Sequence, residues 1–189
     1  MEGIRRVRLA IPYHVFETEK GEGGIGFDAS LWRAVDMSFR RSLLAVPISK
    51  LGLKAEGNCV LKPKMSPEEV LQGLREIARQ KPSPYKVFKA RLAALITPFS
   101  RGELDRVGRE YVEAIQAANL ASAILEMGVG RYRGVYWGSV DLELEDRERG
   151  GGLRLVDAPS PGYRGLVEND MGVRRFLIVA ARACVGTIE

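Results

Sequence analysis

The stretch that most constrains the fold spans residues 100–128 and reads SRGELDRVGREYVEAIQAANLASAILEMG. Ser100 and Glu103 form a capping box, in which the hydroxyl accepts from the N3 amide and the carboxylate accepts from the N-cap amide. Apolar residues, Ile115 among them, then recur every three or four positions, which is the period of a helix. Gly128 follows, and glycine most readily takes the left-handed conformation that ends a helix. The stretch therefore predicts one long helix.

Two further helix starts come before it. Residues 66–69, SPEE, are a second capping box with proline at the first helical position, and residues 83–84, SP, repeat the serine–proline start. The three predicted helices cover about 67–80, 84–96 and 101–127. They form a central three-helix segment, about 67–127. This segment is either part of a single α+β domain spanning 1–189 or a helical insertion at 64–128.

The rest of the chain predicts a sheet. Residues 4–17, IRRVRLAIPYHVFE, alternate apolar and polar side chains, as a strand with one buried face does. Pro12 cannot donate to a β-ladder, which favours an edge strand or a bulge. Further strands are predicted at 133–145, 152–157 and 174–186, with a short one at 58–62. The fold class is thus α+β, with an antiparallel or mixed sheet of four to five strands packed on helices.

Three segments are predicted to join these elements. Residues 17–26 are rich in glycine and predict a flexible linker. Asp28 is a good N-cap and predicts a helix over about 29–45. Residues 158–173 contain proline and glycine in a polar setting and predict a loop.

The composition indicates a globular protein. The chain has 189 residues, of which 46% are hydrophobic and 28% charged. No apolar run approaches the roughly 18 residues of a membrane-spanning helix, and no signal peptide is evident. We therefore expect a cytoplasmic protein without a membrane partner. Asn and Gln together number six, and the basic residues are mostly arginine, a composition typical of a thermophile.

The metal-binding residue types are scarce. Cys59 and Cys184 have no neighbours at metal-ligand spacing and are interpreted as buried thiols, with a disulfide as the alternative in a thermophile. His14 is the only histidine, so we predict no metal site and no cofactor. Tyr13 and Glu17 lie near it, but adjacent strand residues face opposite ways. A structural histidine is therefore favoured, and no catalytic residue is assigned.

The positive charge is concentrated in the middle of the chain. Residues 33–109 contain 16 Lys or Arg against 7 Asp or Glu, whereas residues 130–170 contain 6 against 8. The basic residues predicted to form one helical surface are Arg33, Arg40, Arg41, Arg75, Arg79, Lys81, Lys86 and Lys89. No base-reading motif accompanies them, so contacts to a phosphate backbone are expected. The leading prediction is a binding protein that contacts RNA, DNA or an acidic partner through this surface.

Two alternative functions are open. The first is an enzyme that acts on a phosphorylated or otherwise anionic small molecule through the 20–28 loop. In that loop the backbone amides around Lys20, Gly21, Gly23, Gly24 and Gly26 could bind an anion. The spacing matches neither a P-loop nor the GxGxxG motif, and a capping Asp28 would occupy the same amides. The second alternative is a structural subunit of a homo-oligomer, joined through the alanine-rich end of the long helix.

Overall fold

A computed structural model describes residues 4–19, 23–31, 44–79, 115–145 and 152–185. Its sheet contains β1 (Ile4–Thr18), β2 (Gly24–Asp28), β3 (Ala45–Pro47), β4 (Cys59–Val60), β5 (Val129–Glu145) and β6 (Leu153–Asp157). The described helices are α1 (Pro67–Arg79), α2 (115–126), α3 (Pro161–Asn169) and α4 (Met171–Val185), with a 3-10 turn at Ile48–Lys50. The fold is α+β, as predicted.

The sheet is built around the long antiparallel pair of β1 and β5. Its strand order is β3-β2-β1-β5-β6, and β4 pairs with β1 in parallel. The predicted alternation along β1 is confirmed, because every second residue from Val7 to Val15 is buried. On the opposite face the strand begins with exposed Arg6 and Arg8 but is buried from Ala10 onward. The second half of β1 is therefore covered on both faces, and the prediction of a single buried face is wrong there.

Pro12 does not mark an edge strand, and that prediction is wrong. Pro12 lies opposite Trp137 in the centre of the sheet, and its carbonyl accepts from the Ala29 amide at 2.9 Å. The N and O atoms of one strand residue point to the same side, so the missing N–H faces away from β5. On that side β2 begins pairing at Tyr13 and β4 ends pairing at Ala10. The proline occupies the gap between these two strands.

Helix α1 forms as its sequence predicts. The Ser66 amide donates to Glu69 Oε2 at 2.7 Å, and the Glu69 amide donates to Ser66 Oγ at 3.2 Å, which is a complete capping box. Val70, Leu74 and Ile77 are buried on one face. The remaining face is polar and exposed.

Helix α2, which lies at the described end of the predicted long helix, packs through its small residues. Ala117, Ala118, Ala121 and Ile124 are buried, whereas Ile115 is only partly buried, so the inward face is rotated from the predicted one. These alanines pack within the chain. Gly128 ends the helix with a φ of 74°, as expected. The predicted helix start at Ser100 and the helix at 84–96 lie outside the described residues, as does most of the helix predicted at 29–45. The described ends of that last helix contradict the prediction, because residues 29–31 form a bend and Ala45 pairs with Phe27 as part of β3.

The hairpin predicted at 133–145 and 152–157 is present, but residues 158–185 contradict the sequence-based prediction. A loop was expected at 158–173 and a strand at 174–186, but the structure has α3 and α4. The Ser160 hydroxyl caps α3 by accepting from the Tyr163 amide at 3.1 Å. Asp170 caps α4 in the same way, accepting from the Gly172 and Val173 amides at 2.9 and 3.1 Å. The buried residues of α4 are Val173, Leu177 and Ala181, which have helical spacing.

A disulfide joins the sheet to this C-terminal helix. Cys59 in β4 and Cys184 in α4 are bonded, with their Cα atoms 5.7 Å apart. The interpretation as free thiols was therefore wrong, and the alternative is correct. Among the described helices, none has both the length and the apolar character needed to cross a membrane.

Candidate functional site

The single histidine of the chain is hydrogen-bonded through both ring nitrogens. His14 is 4% exposed; its Nε2 lies 2.7 Å from the Met65 carbonyl oxygen and its Nδ1 lies 2.9 Å from the Tyr132 hydroxyl. A carbonyl oxygen can only accept, so Nε2 carries the proton. In the neutral imidazole Nδ1 therefore accepts, and the Tyr132 hydroxyl donates to it. The contact fixes both the histidine tautomer and the direction of the phenol.

A β-bulge places Tyr132 over His14. Val15 lies opposite Gly134 and Phe16 lies opposite Tyr132, so Arg133 has no residue directly across from it. Gly134 has a φ of 118°, a conformation that side-chain-bearing residues rarely adopt. Bulges bend a strand and redirect side chains. The redirected Tyr132 ring packs against the rings of His14 and Phe16, with centroids 5.6 and 5.3 Å apart.

The surroundings keep Tyr132 in its protonated form. Partial burial, followed by the nearby negative charge of Glu68, raises the pKa of the phenol. The pKa of Glu68 is lowered, first by a hydrogen bond with its own backbone and then by the Ser66 hydroxyl. Glu68 belongs to the first turn of α1. The Tyr132 phenol is thus a neutral donor beside the start of α1, and its raised pKa disfavours a phenolate nucleophile.

Tyr13 is not part of this cluster, as the strand alternation predicted. It is fully buried on the other face of β1, opposite Asp28 in β2. Burial, and then the charge of Asp28, raise its pKa well above the ordinary value. Glu17 instead contacts Arg133, at 3.6 Å. In the described parts of the chain, no three His, Cys, Asp or Glu side chains converge to hold a metal ion.

Two residues of the predicted basic surface, Arg75 and Arg79, lie in the described part of the chain, on α1. Both are exposed, and together with Glu68 and Gln72 they occupy one face at spacings of four, three and four residues. Neither arginine has a hydrogen bond or ion pair with any described residue. The other predicted members lie outside the described residues: Arg33, Arg40, Arg41, Lys81, Lys86 and Lys89.

Several other arginines are already engaged by the protein. Arg8 makes two short contacts with Asp141, at 2.6 and 2.7 Å, and Arg6 contacts Glu143 at 3.0 Å. Arg164 Nη2 donates to the Val156 carbonyl and Arg174 Nη2 to the Leu153 carbonyl, both at 3.1 Å. The groove of about 470 Å³ beside Arg8 and Asp141 is also lined by Arg6, so both of its arginines are already paired with carboxylates of β5. Arg75 and Arg79 differ from these residues in that their charge is available.

The predicted anion loop is partly a strand. Lys20 and Gly21 lie outside the described residues, but Gly24 and Gly26 belong to β2, so the flexible-linker prediction is wrong there. A Cβ on Gly24 would lie 2.7 Å from the Phe16 carbonyl oxygen, and one on Gly26 would collide with Leu51. Gly23 has a φ of 133°. Close packing and backbone conformation account for these glycines, and anion binding by the loop stays a prediction.

Asp28 binds the amides that follow it, as predicted, although the described residues 29–31 form a bend and not a helix. The carboxylate is fully buried, and its Oδ1 accepts from the Ser30 amide at 2.7 Å and from the Leu31 amide. An anion bound at these amides would have to displace a carboxylate. This arrangement disfavours phosphate at the end of β2.

Sequence reasoning missed the partners of His14. Met65 is 51 residues away and Tyr132 is 118 residues away, so neither can be inferred from local spacing. The one local signal is the sequence GRYRG at 130–134, an aromatic residue between arginines and glycines in an otherwise alternating strand. Glycines within a strand often mark a bulge or a close approach.

Comparison with protein-family models, with curated proteins and with solved structures finds no match for this chain. The function is therefore inferred from the side chains described above. Two features stand out: the exposed arginines of α1, which have no partner in the described parts of the chain, and the His14–Tyr132 pair at the start of that helix.

Proposed function

We propose that this protein binds nucleic acid through the phosphate backbone, using the exposed face of α1. The observation that carries the proposal is that Arg75 and Arg79 are exposed on one helix face without a partner among the described residues. The planar guanidinium group can donate two parallel hydrogen bonds to one phosphate. One helical turn separates the two groups, so neighbouring phosphates can contact both.

The surrounding sequence supports this choice of ligand. The segment 33–109 has 16 basic against 7 acidic residues, and six more basic residues were predicted for the same surface. Affinity that comes from many backbone contacts is sequence-tolerant and falls steeply with salt. An acidic protein partner would satisfy the same charges, and the test below separates the two.

The experiment measures binding of a labelled single-stranded oligonucleotide of about 16 nucleotides, near the upper limit for one single-strand-binding module. We compare the wild type with Arg75→Glu/Arg79→Glu at low salt. The matched control is Arg175→Glu/Arg182→Glu, which makes the same charge change at two exposed arginines of α4. The α1 reversal is expected to abolish most binding, and the α4 reversal to have a much smaller effect.

Three outcomes would contradict the proposal. The wild type could fail to bind even at low salt, or the two charge reversals could weaken binding equally. Alternatively, polyglutamate could displace the oligonucleotide at equal charge concentration, which would identify an acidic protein as the better partner. Circular dichroism of each variant verifies that the helices are intact.

A further inference from the structure

Tyr132 is one of the few large hydrophobic side chains that the described sheet exposes. Its residue exposure is 39%, although its ring edge packs on His14 and Phe16. The bulge therefore holds an aromatic ring at the surface.

The ring is held in place by its own hydroxyl. The Tyr132 O–H donates to His14 Nδ1 at 2.9 Å, and His14 is anchored in turn by the Met65 carbonyl at 2.7 Å. An exposed tyrosine that is already oriented loses less conformational entropy when a ligand packs against it. The hydroxyl faces inward, so the part of the side chain offered to a ligand is the ring.

Tyr132 lies near the start of α1, because His14 contacts both its hydroxyl and the Met65 carbonyl. Glu68, whose charge acts on the Tyr132 phenol, is in the first turn of that helix, and Arg75 and Arg79 follow on the same face. At 1.5 Å per residue, the two arginines lie about 10 and 17 Å from Glu68 along the helix axis. One extended strand of nucleic acid can therefore reach both features.

We propose that Tyr132 is a base-stacking site for single-stranded nucleic acid and that His14 is the residue that positions it. This inference rests on the proposed nucleic-acid binding of α1 and specifies the single-stranded form of the ligand. Single-strand binding typically combines a basic surface along the backbone with aromatic rings on which bases stack. Stacking on a ring tolerates any base, which fits a chain without a base-reading motif.

The charges near Tyr132 favour a base over a phosphate at the ring. Glu68 places a negative charge close to the phenol, and phosphates avoid such a position whereas base N–H groups do not. Arg131 and Arg133 flank Tyr132 in the sequence, and both are exposed. Arg133 makes a contact of 3.6 Å with Glu17, and both of these side chains are partly exposed. A contact of this kind contributes little, so phosphate can replace the carboxylate.

The test compares two ligands with the same backbone, a labelled oligothymidylate and a matched strand of abasic sites. The wild type is expected to prefer the strand that carries bases. Tyr132→Ala is expected to weaken binding of that strand by about 5- to 150-fold, the equivalent of one lost stacking contact, with a far smaller effect on the abasic strand. Tyr132→Phe keeps the ring but loses the hydrogen bond to His14, so it is expected to retain part of the preference, more than Tyr132→Ala does. His14→Ala is expected to lower the preference for bases.

The possible results separate this inference from the proposed function. If the wild type binds both strands equally and Tyr132→Ala alters neither, the stacking site is wrong while backbone binding by α1 stands. If the wild type binds neither strand, both fail. A bromodeoxyuridine-containing strand, photocrosslinked to the wild type and mapped by mass spectrometry, gives a readout that needs no variant. We expect the crosslink at Tyr132, and crosslinks confined to other elements would overturn the proposal.

Discussion

His14 and Tyr132 are separated by 118 residues but share a hydrogen bond of 2.9 Å between Nδ1 and the phenol oxygen. The other ring nitrogen binds the Met65 carbonyl, directly before the capping box of α1. One imidazole therefore connects two long strands to the start of a helix. This connection links the sheet to the surface that we propose as the binding site.

The first prediction concerns the stability that this connection provides. His14→Leu leaves the Met65 carbonyl without its donor, and an unsatisfied buried polar group costs about 1–3 kcal/mol. Tyr132→Phe removes one hydrogen bond near solvent and should cost only about 0.5–1.5 kcal/mol. Urea unfolding of both variants measures the difference. A His14→Leu protein as stable as the wild type would show that the imidazole does not hold the helix start.

The second prediction concerns the disulfide between Cys59 and Cys184, which are 125 residues apart in sequence. Closing a loop of this length restricts the unfolded chain and is expected to stabilise the fold by up to about 5 kcal/mol. Unfolding should therefore shift to lower denaturant when reductant is added. The double variant Cys59→Ala/Cys184→Ala should match the reduced wild type. Two titratable thiols in the folded, unreduced protein would contradict the pairing.

The third prediction tests whether residues 171–185 form a helix. Leu177 is fully buried and Val179 is 63% exposed, which a helix allows because positions two apart lie on different faces. A strand would place both side chains on one face. We expect Leu177→Ala to lower the free energy of unfolding by about 2–5 kcal/mol. Val179→Ala should change it by no more than about 0.5 kcal/mol. If thermal or chemical unfolding shows that the two substitutions lower stability equally, residues 171–185 would be better described as a strand.

The fourth prediction is a pH dependence from the pair of Arg8 and Asp141. The hydrogen bond from Arg8 lowers the pKa of Asp141 in the folded protein. The Asp141 carboxylate therefore stabilises the folded protein above its unfolded-state pKa of about 3.9. This stabilisation is lost as the pH falls through the lower pKa that Asp141 has in the folded protein. Asp141→Asn should flatten the curve of unfolding free energy against pH in this acidic range. Glu168→Gln, at an exposed residue of α3, serves as the control. Identical profiles for the wild type and Asp141→Asn would contradict the assignment.

Much of the fold could be predicted because the signals were local. The capping box at Ser66 and the alternation in β1 each depend on residues a few positions apart. Residues 176–185 carried no such signal, since a nearly continuous apolar run fits a buried strand or a helix equally well. The Ser160-Pro161 start of α3 resembles the start of α1, but the glycines that follow it made a loop the better prediction. The strand Gly24–Asp28 depends on its packing against Phe16 and Leu51, which no local pattern reveals.

Less of the candidate site could be predicted. The exposure of Arg75 and Arg79 follows from the apolar stripe on the other side of α1, and this part was predicted from the helical period. The contact between His14 and Tyr132 depends on the register of β1 against β5 and on a bulge at Arg133. Register and bulges are set by long-range pairing. Tyr132 was therefore not among the predicted site residues.

The most direct test of nucleic-acid binding by α1 is the salt dependence of its affinity. For single strands, the logarithm of the binding constant falls with the logarithm of salt concentration at a slope of about −0.7 per phosphate contacted. Arg75→Ala/Arg79→Ala removes two contacts and should reduce the steepness of this slope by about 1.4, while Arg175→Ala/Arg182→Ala should leave it nearly unchanged. A slope that is the same in the wild type and the α1 variant would contradict the account.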